Sequence, residues 1–95
     1  MVVGVLELTL VLFETASLKH KRSVVRRVMG RVKAKFNAAV AEVDALDAHG
    51  HAVLGIVVVA NQKPFVEQML DKIERFVEGL GLAELHGSQR AIDSY

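Results

Sequence analysis

Residues 2–13, VVGVLELTLVLF, alternate in a way that predicts a β-strand. Leu6, Leu8, Leu10 and Leu12 fall on one face, and Val3, Val5, Glu7, Thr9 and Val11 on the other. From about 18 to 35 the period lengthens. Leu18, Val25, Val28, Met29, Val32 and Phe36 then recur at helical spacing. Ser17 stands where an N-cap hydroxyl accepts an orphan backbone N–H. Gly30, inside this helix, predicts a close approach to the sheet. Roughly 38–45 alternates again: Ala39, Ala41 and Val43 against Val40, Glu42 and Asp44. Gly50 supplies a turn. Residues 52–60, AVLGIVVVA, are nearly all apolar, which predicts a central strand buried on both faces. A second helix follows, capped by Asn61, with Pro64 in its first turn, where a missing N–H is harmless. Its stripe is Val66, Met69, Leu70, Ile73, Phe76 and Val77, and Gly79 and Gly81 stop it. A last strand is expected over 83–92, interrupted by Gly87.

The order β-α-β-β-α-β, combined with right-handed crossovers, predicts a ferredoxin-like α+β sandwich. Its sheet is four-stranded and antiparallel, with both helices on one face, strands one and three central, and residues 1–95 in a single domain. Leu8, Val32, Val57 and Phe76 are the expected core anchors.

Composition narrows the chemistry. A 52% hydrophobic content supports a packed core rather than disorder. No apolar run is long enough to span a membrane. The apolar opening contains Glu7 and lacks a basic leader, so it reads as a strand and not as a signal peptide. With no cysteine, disulfides, a thiol nucleophile and Cys-based metal sites are excluded, which fits a cytoplasmic protein.

The net charge of +1 hides a separation. Residues 15–41 hold no acid and eight of the twelve Lys and Arg. The remaining four bases are set against eleven acids. The chain is therefore strongly dipolar, a pattern that steers a polyanion to one side. Lys19, Lys21, Arg22, Arg26, Arg27, Arg31 and Lys33 are the candidate phosphate-binding residues, all on the first helix. A bland reading competes with this one, in which Glu67, Asp71, Glu74 and Glu78 of the second helix neutralise them.

Other sites are weaker. RNA-recognition domains of this topology stack bases on aromatics of the two central strands, but here strand three has none and strand one only Phe13 at its end. The open sheet face is instead apolar, softened by Glu7, Thr9, Glu42 and Arg90. Apolar faces of this kind often mark subunit interfaces, but with those four polar residues an ordinary mixed surface is the reading preferred here. His49 and His51, with Asp47, form a His-x-His pair at a glycine turn. No third histidine and no cysteine stand near it, so no metal is assigned. The loop ETAS between strand one and helix one lacks the glycine-rich phosphate cradle of acylphosphatases. Glu7 and Glu42 could face each other across the sheet, but two carboxylates alone define no acid–base pair. No catalytic residue and no cofactor is assigned, and the chain is expected not to be an enzyme.

Five stretches resemble the YlxP-like family of small bacterial proteins of unknown function. They are MVVGVLEL at 1–8, SLKHKR at 17–22, FNAAVAEV at 36–43, GIVVVAN at 55–61 and LDKIERFVE at 70–78. The resemblance implies a ferredoxin-like fold. Members are often encoded beside translation-initiation and ribosome-maturation genes, which implies a link to RNA or ribosomes. Relatives often carry Glu at the position of His20, completing a capping box with the serine, and Trp at the position of His49. The expectation is thus a cytoplasmic, non-enzymatic factor binding structured RNA or ribosomal particles through its basic helix. The alternative is a self-association module, a homodimer formed through the open sheet face or an edge strand.

Overall fold

The leucines of the first strand set the frame. In the computed structural model, which describes residues 1–13 and 17–95, β1 (Val2–Leu12) turns Leu6, Leu8, Leu10 and Leu12 inward, all buried. Of the ETAS loop, Glu14, Thr15 and Ala16 lie outside the described residues. The other elements are α1 (Leu18–Lys35), β2 (Ala39–Asp44), β3 (His51–Ala60), α2 (Lys63–Gly79) and β4 (Ala83–Ser94). The sheet order is β2-β3-β1-β4, antiparallel throughout, with β1 and β3 central. This is the ferredoxin-like sandwich expected from the sequence.

Both helices cover the even-numbered face of β1 and β3. Ala52, Leu54, Ile56 and Val58 of β3 join the β1 leucines there. Val25, Val28 and Val32 of α1 pack on them, as do Val66, Leu70, Ile73 and Val77 of α2. At Gly4 the fit is tight: a Cβ would stand 2.5 Å from a Val66 methyl, so α2 sits here close to bare backbone. The close approach expected at Gly30 is absent. Gly30 is exposed and a Cβ there would meet nothing within 4 Å, so it costs α1 backbone entropy without a packing return.

The odd-numbered face is open. β3 is therefore covered on one side only, contrary to its apolar run. Val53 and Val57 are partly exposed and Val59 is 56% exposed. Val57 belongs to this outer face and not to the core. Phe76 is a partly buried rim residue, edge-on to Phe36.

Caps and turns follow local chemistry. Ser17 Oγ accepts from the His20 backbone N–H at 3.1 Å. With His20 in place of an acid, the reciprocal half of a capping box is missing. At α2 the cap position is Gln62, not Asn61, and no side chain caps it. Past α2, Gly81 takes φ +67, the left-handed exit that glycine adopts most cheaply. In β4 the register slips opposite Thr9 and Leu10, which leaves His86 as the extra residue between Leu85 and Gly87.

Candidate polyanion-binding face on helix one

The run Lys19-His20-Lys21-Arg22 looks uniform in sequence, but the fold divides it. Lys21 lies on the buried stripe, three residues after Leu18 and four before Val25, and its side chain is fully enclosed. Its ammonium donates to Glu42 Oε2 at 2.6 Å, to the Ala45 carbonyl at 2.8 Å and to the Leu46 carbonyl at 3.0 Å. Those three acceptors use all three of its N–H donors. Lys21 is therefore not a phosphate ligand. It pins the turn after β2 to the start of α1. Ala45 holds a left-handed φ of 57, unusual for a residue with a Cβ, and its N–H donates to Asp44 Oδ1 at 2.7 Å.

The remaining cations of α1 point outward. Lys19, Arg22, Arg26, Arg27, Arg31, Lys33 and Lys35 are all exposed. At 100° per residue, Lys19, Arg22, Arg26 and Lys33 share one flank of the solvent side, and Arg27 and Arg31 the back. Among the described residues, none of the seven has an ion-pair partner.

Among the described residues, no acid of α2 forms an ion pair with them. Asp71 and Glu74 are engaged by Arg90 of β4, at 2.9 Å and 3.3 Å, and Glu74 also accepts from Ser88 Oγ. Arg90 pairs in register with Leu6 and so lies on the helix side of the sheet. Glu42 is on the same side, bonded to Lys21. Neither residue softens the open face, and Glu42 cannot meet Glu7, which pairs with Gly55 on the opposite side.

That open face carries Val5, Val43 and Val59 at 40%, 51% and 56% exposure. A shallow depression of about 360 Å³ is lined by Val5, Ala41, Gly55, Val57 and Val43, whose side chain packs over Gly55. His51, the first residue of β3, is exposed and paired in register with Val11. Among the described residues, no three His, Asp or Glu side chains converge as metal ligands would. Among the described residues, no helix is long and apolar enough to cross a membrane.

A family model for proteins of unknown function, DUF503, matches residues 3–90. The chain belongs to that family. The chain is also similar to the uncharacterized protein YlxP of Bacillus subtilis (strain 168), 29% identical over 76 residues, spanning 80% of this chain and 83% of that protein. Among solved structures, a de novo designed protein with a ferredoxin fold is similar at TM-score 0.56 and 19% identity, over all of this chain and 87% of that one. A dimeric ferredoxin-like protein of unknown function from Thermobifida fusca YX has TM-score 0.48 and 12% identity, covering 98% and 92% of the two chains. The likeness to the designed protein speaks to the fold alone.

Two features escaped the sequence reading. One is the Lys21–Glu42 pair, whose signal was a lysine on an otherwise apolar stripe. The other is the pairing of Phe36 with Phe76, which no local pattern marks.

Proposed function

We propose that the protein is a non-enzymatic accessory factor that binds structured RNA or ribosomal particles through the outer face of α1. The observation that carries this reading is the set of seven exposed cations on one helix without ion-pair partners among the described residues. Exposed cations held on a rigid rod match the spacing of a phosphate backbone and release its counterions on contact. Such binding is electrostatic and tolerant of sequence.

The test is binding of a fully paired RNA hairpin and of ribosomal particles across 50–200 mM salt. Changing Arg22 and Arg26 to Glu is expected to abolish binding at moderate salt with the melting temperature unchanged, since both side chains are exposed. Each lost phosphate contact lowers the salt slope by about 0.7–0.9. Lys63→Glu, exposed on α2, is the control for a single reversal. Arg90→Glu is unsuitable, because it would place a third carboxylate beside Asp71 and Glu74. Binding by the double variant equal to the parent removes α1 as the functional surface.

The bare apolar sheet face favours a second reading, self-association into a homodimer. Sedimentation across a concentration series checks it. A dimer that Val5→Lys dissolves supports this reading, and a monomer at all concentrations ends it.

A further inference from the structure

Where the last turn of α1 meets α2, the fold assembles a depression of about 400 Å³ lined by Lys35, Phe36, Lys72, Arg75 and Phe76. Its walls hold three cations and two aromatic rings, and no acid. The rings of Phe36 and Phe76 are edge-on, 5.4 Å apart at 79°. Both are only partly buried, although they belong to the rim of the core. The Lys35 ammonium stands 5.2 Å from the centre of the Phe76 ring, within range for cation–π attraction. Lys72 and Arg75 are exposed and have no carboxylate partner among the described residues. Arg75 donates only a long bond of 3.4 Å to the Asp71 carbonyl within its own helix.

The open sheet face offers a hollow of similar size, but it lacks both features, since its lining has neither an aromatic nor a cation. The α1–α2 depression is thus the place in the described structure where π surface and positive charge meet without a competing acid. Its volume lies in the range of small-ligand sites. The chemistry that needs both features is a flat aromatic group carrying phosphate on either side, namely one unstacked nucleotide of an RNA chain. A base splayed from a duplex finds ring surface, and its flanking phosphates find mobile cations. Lys35 follows Arg31 by one turn of α1, so the hollow borders the back of the helix, where Arg27 and Arg31 stand.

We propose that Phe36 and Phe76, flanked by Lys35, Lys72 and Arg75, form a subsite for a single unpaired RNA base, giving the factor a preference for bulged or looped RNA over plain duplex. The subsite rests on the reading of α1 as a phosphate-binding face, and the experiment separates the two. Three hairpins of equal length and charge are compared at fixed salt: fully paired, with a one-nucleotide bulge, and with an abasic bulge. The parent is expected to bind the bulged hairpin about 5- to 150-fold more tightly than the paired one. The abasic bulge loses that gain. Phe76→Leu, which keeps an apolar side chain, is expected to lose it too while still binding the paired hairpin. Lys72→Gln with Arg75→Gln, at exposed positions, weakens the bulged hairpin more than the paired one and covers the case in which Phe76→Leu fails to fold.

Equal binding of all three hairpins overturns the subsite and leaves the α1 reading standing. No binding of any hairpin overturns both. A free mononucleotide, AMP, is the other source of the same chemistry. Chemical shifts of the Phe36 and Phe76 ring protons distinguish the two: the bulged hairpin is expected to move them and to displace AMP. AMP bound in the hollow and undisturbed by the hairpin assigns the site to free nucleotide and overturns the RNA subsite.

Discussion

Replacing Glu42 with Ala is expected to destabilise the fold by about 3–5 kcal/mol, lowering the melting temperature by roughly 12 °C or more. The Lys21 ammonium is fully enclosed, and Glu42, 14% exposed, is its one charged partner among the described residues. The Ala45 and Leu46 carbonyls remain after the substitution, but they are dipoles and cannot neutralise a buried cation. Most of the cost is therefore the stranded charge and not the lost attraction. This distinguishes the pair from a surface bridge worth at most about 1 kcal/mol. Replacing both partners, Lys21→Met with Glu42→Leu, should recover most of the loss, because an apolar pair of similar volume leaves no charge behind. The two carbonyls it frees belong to the part-buried turn at Ala45 and Leu46, so a remainder of the loss is expected to persist. Urea denaturation of the parent, both single variants and the double variant closes the cycle. A Glu42→Ala midpoint equal to that of the parent would mean that water reaches the ammonium, and that Lys21 is not enclosed.

The same pair shows where the sequence is readable and where it is not. The alternation in β1, the 3.6-residue stripes of both helices and the turn at Gly81 are local signals, and they suffice for element order, topology and sheet order. The role of Lys21 is not local. Its charge sits in a run of basic residues, and its acceptors stand 21 to 25 residues away, on β2 and the turn beyond it. An interrupted apolar stripe was the available sign: 18, 25, 28 and 32 leave position 21 facing inward. Phe36, just past the end of α1, and Phe76, on α2, are forty residues apart, so only the packing of α1 beside α2 brings them together. The exposed cations were legible as a group, because they lie off the stripe of a single helix. The fate of the α2 acids was not, since Arg90 arrives from the last strand.

The two faces of β3 give the final contrast. Leu54→Ala is expected to cost about 2–5 kcal/mol. Leu54 is fully buried under the helices, paired in register with Leu8 on one side and Glu42 on the other. Val57→Ala, three residues on, is expected to cost about 1 kcal/mol or less, since its partly exposed side chain leaves little apolar area to lose. By composition alone the two positions are indistinguishable, because both sit in the run AVLGIVVVA. The strand's period of two separates them: even positions meet α1 and α2, while no helix among the described residues covers the odd positions. Thermal melts at two protein concentrations, tenfold apart, make the comparison decisive. In a monomer, the small cost at Val57 is the same at both. If Val57→Ala instead costs as much as Leu54→Ala, and its effect grows with concentration, a second copy covers the open face, since only an associating partner ties stability to concentration. That outcome would move the functional weight from the basic helix to the sheet.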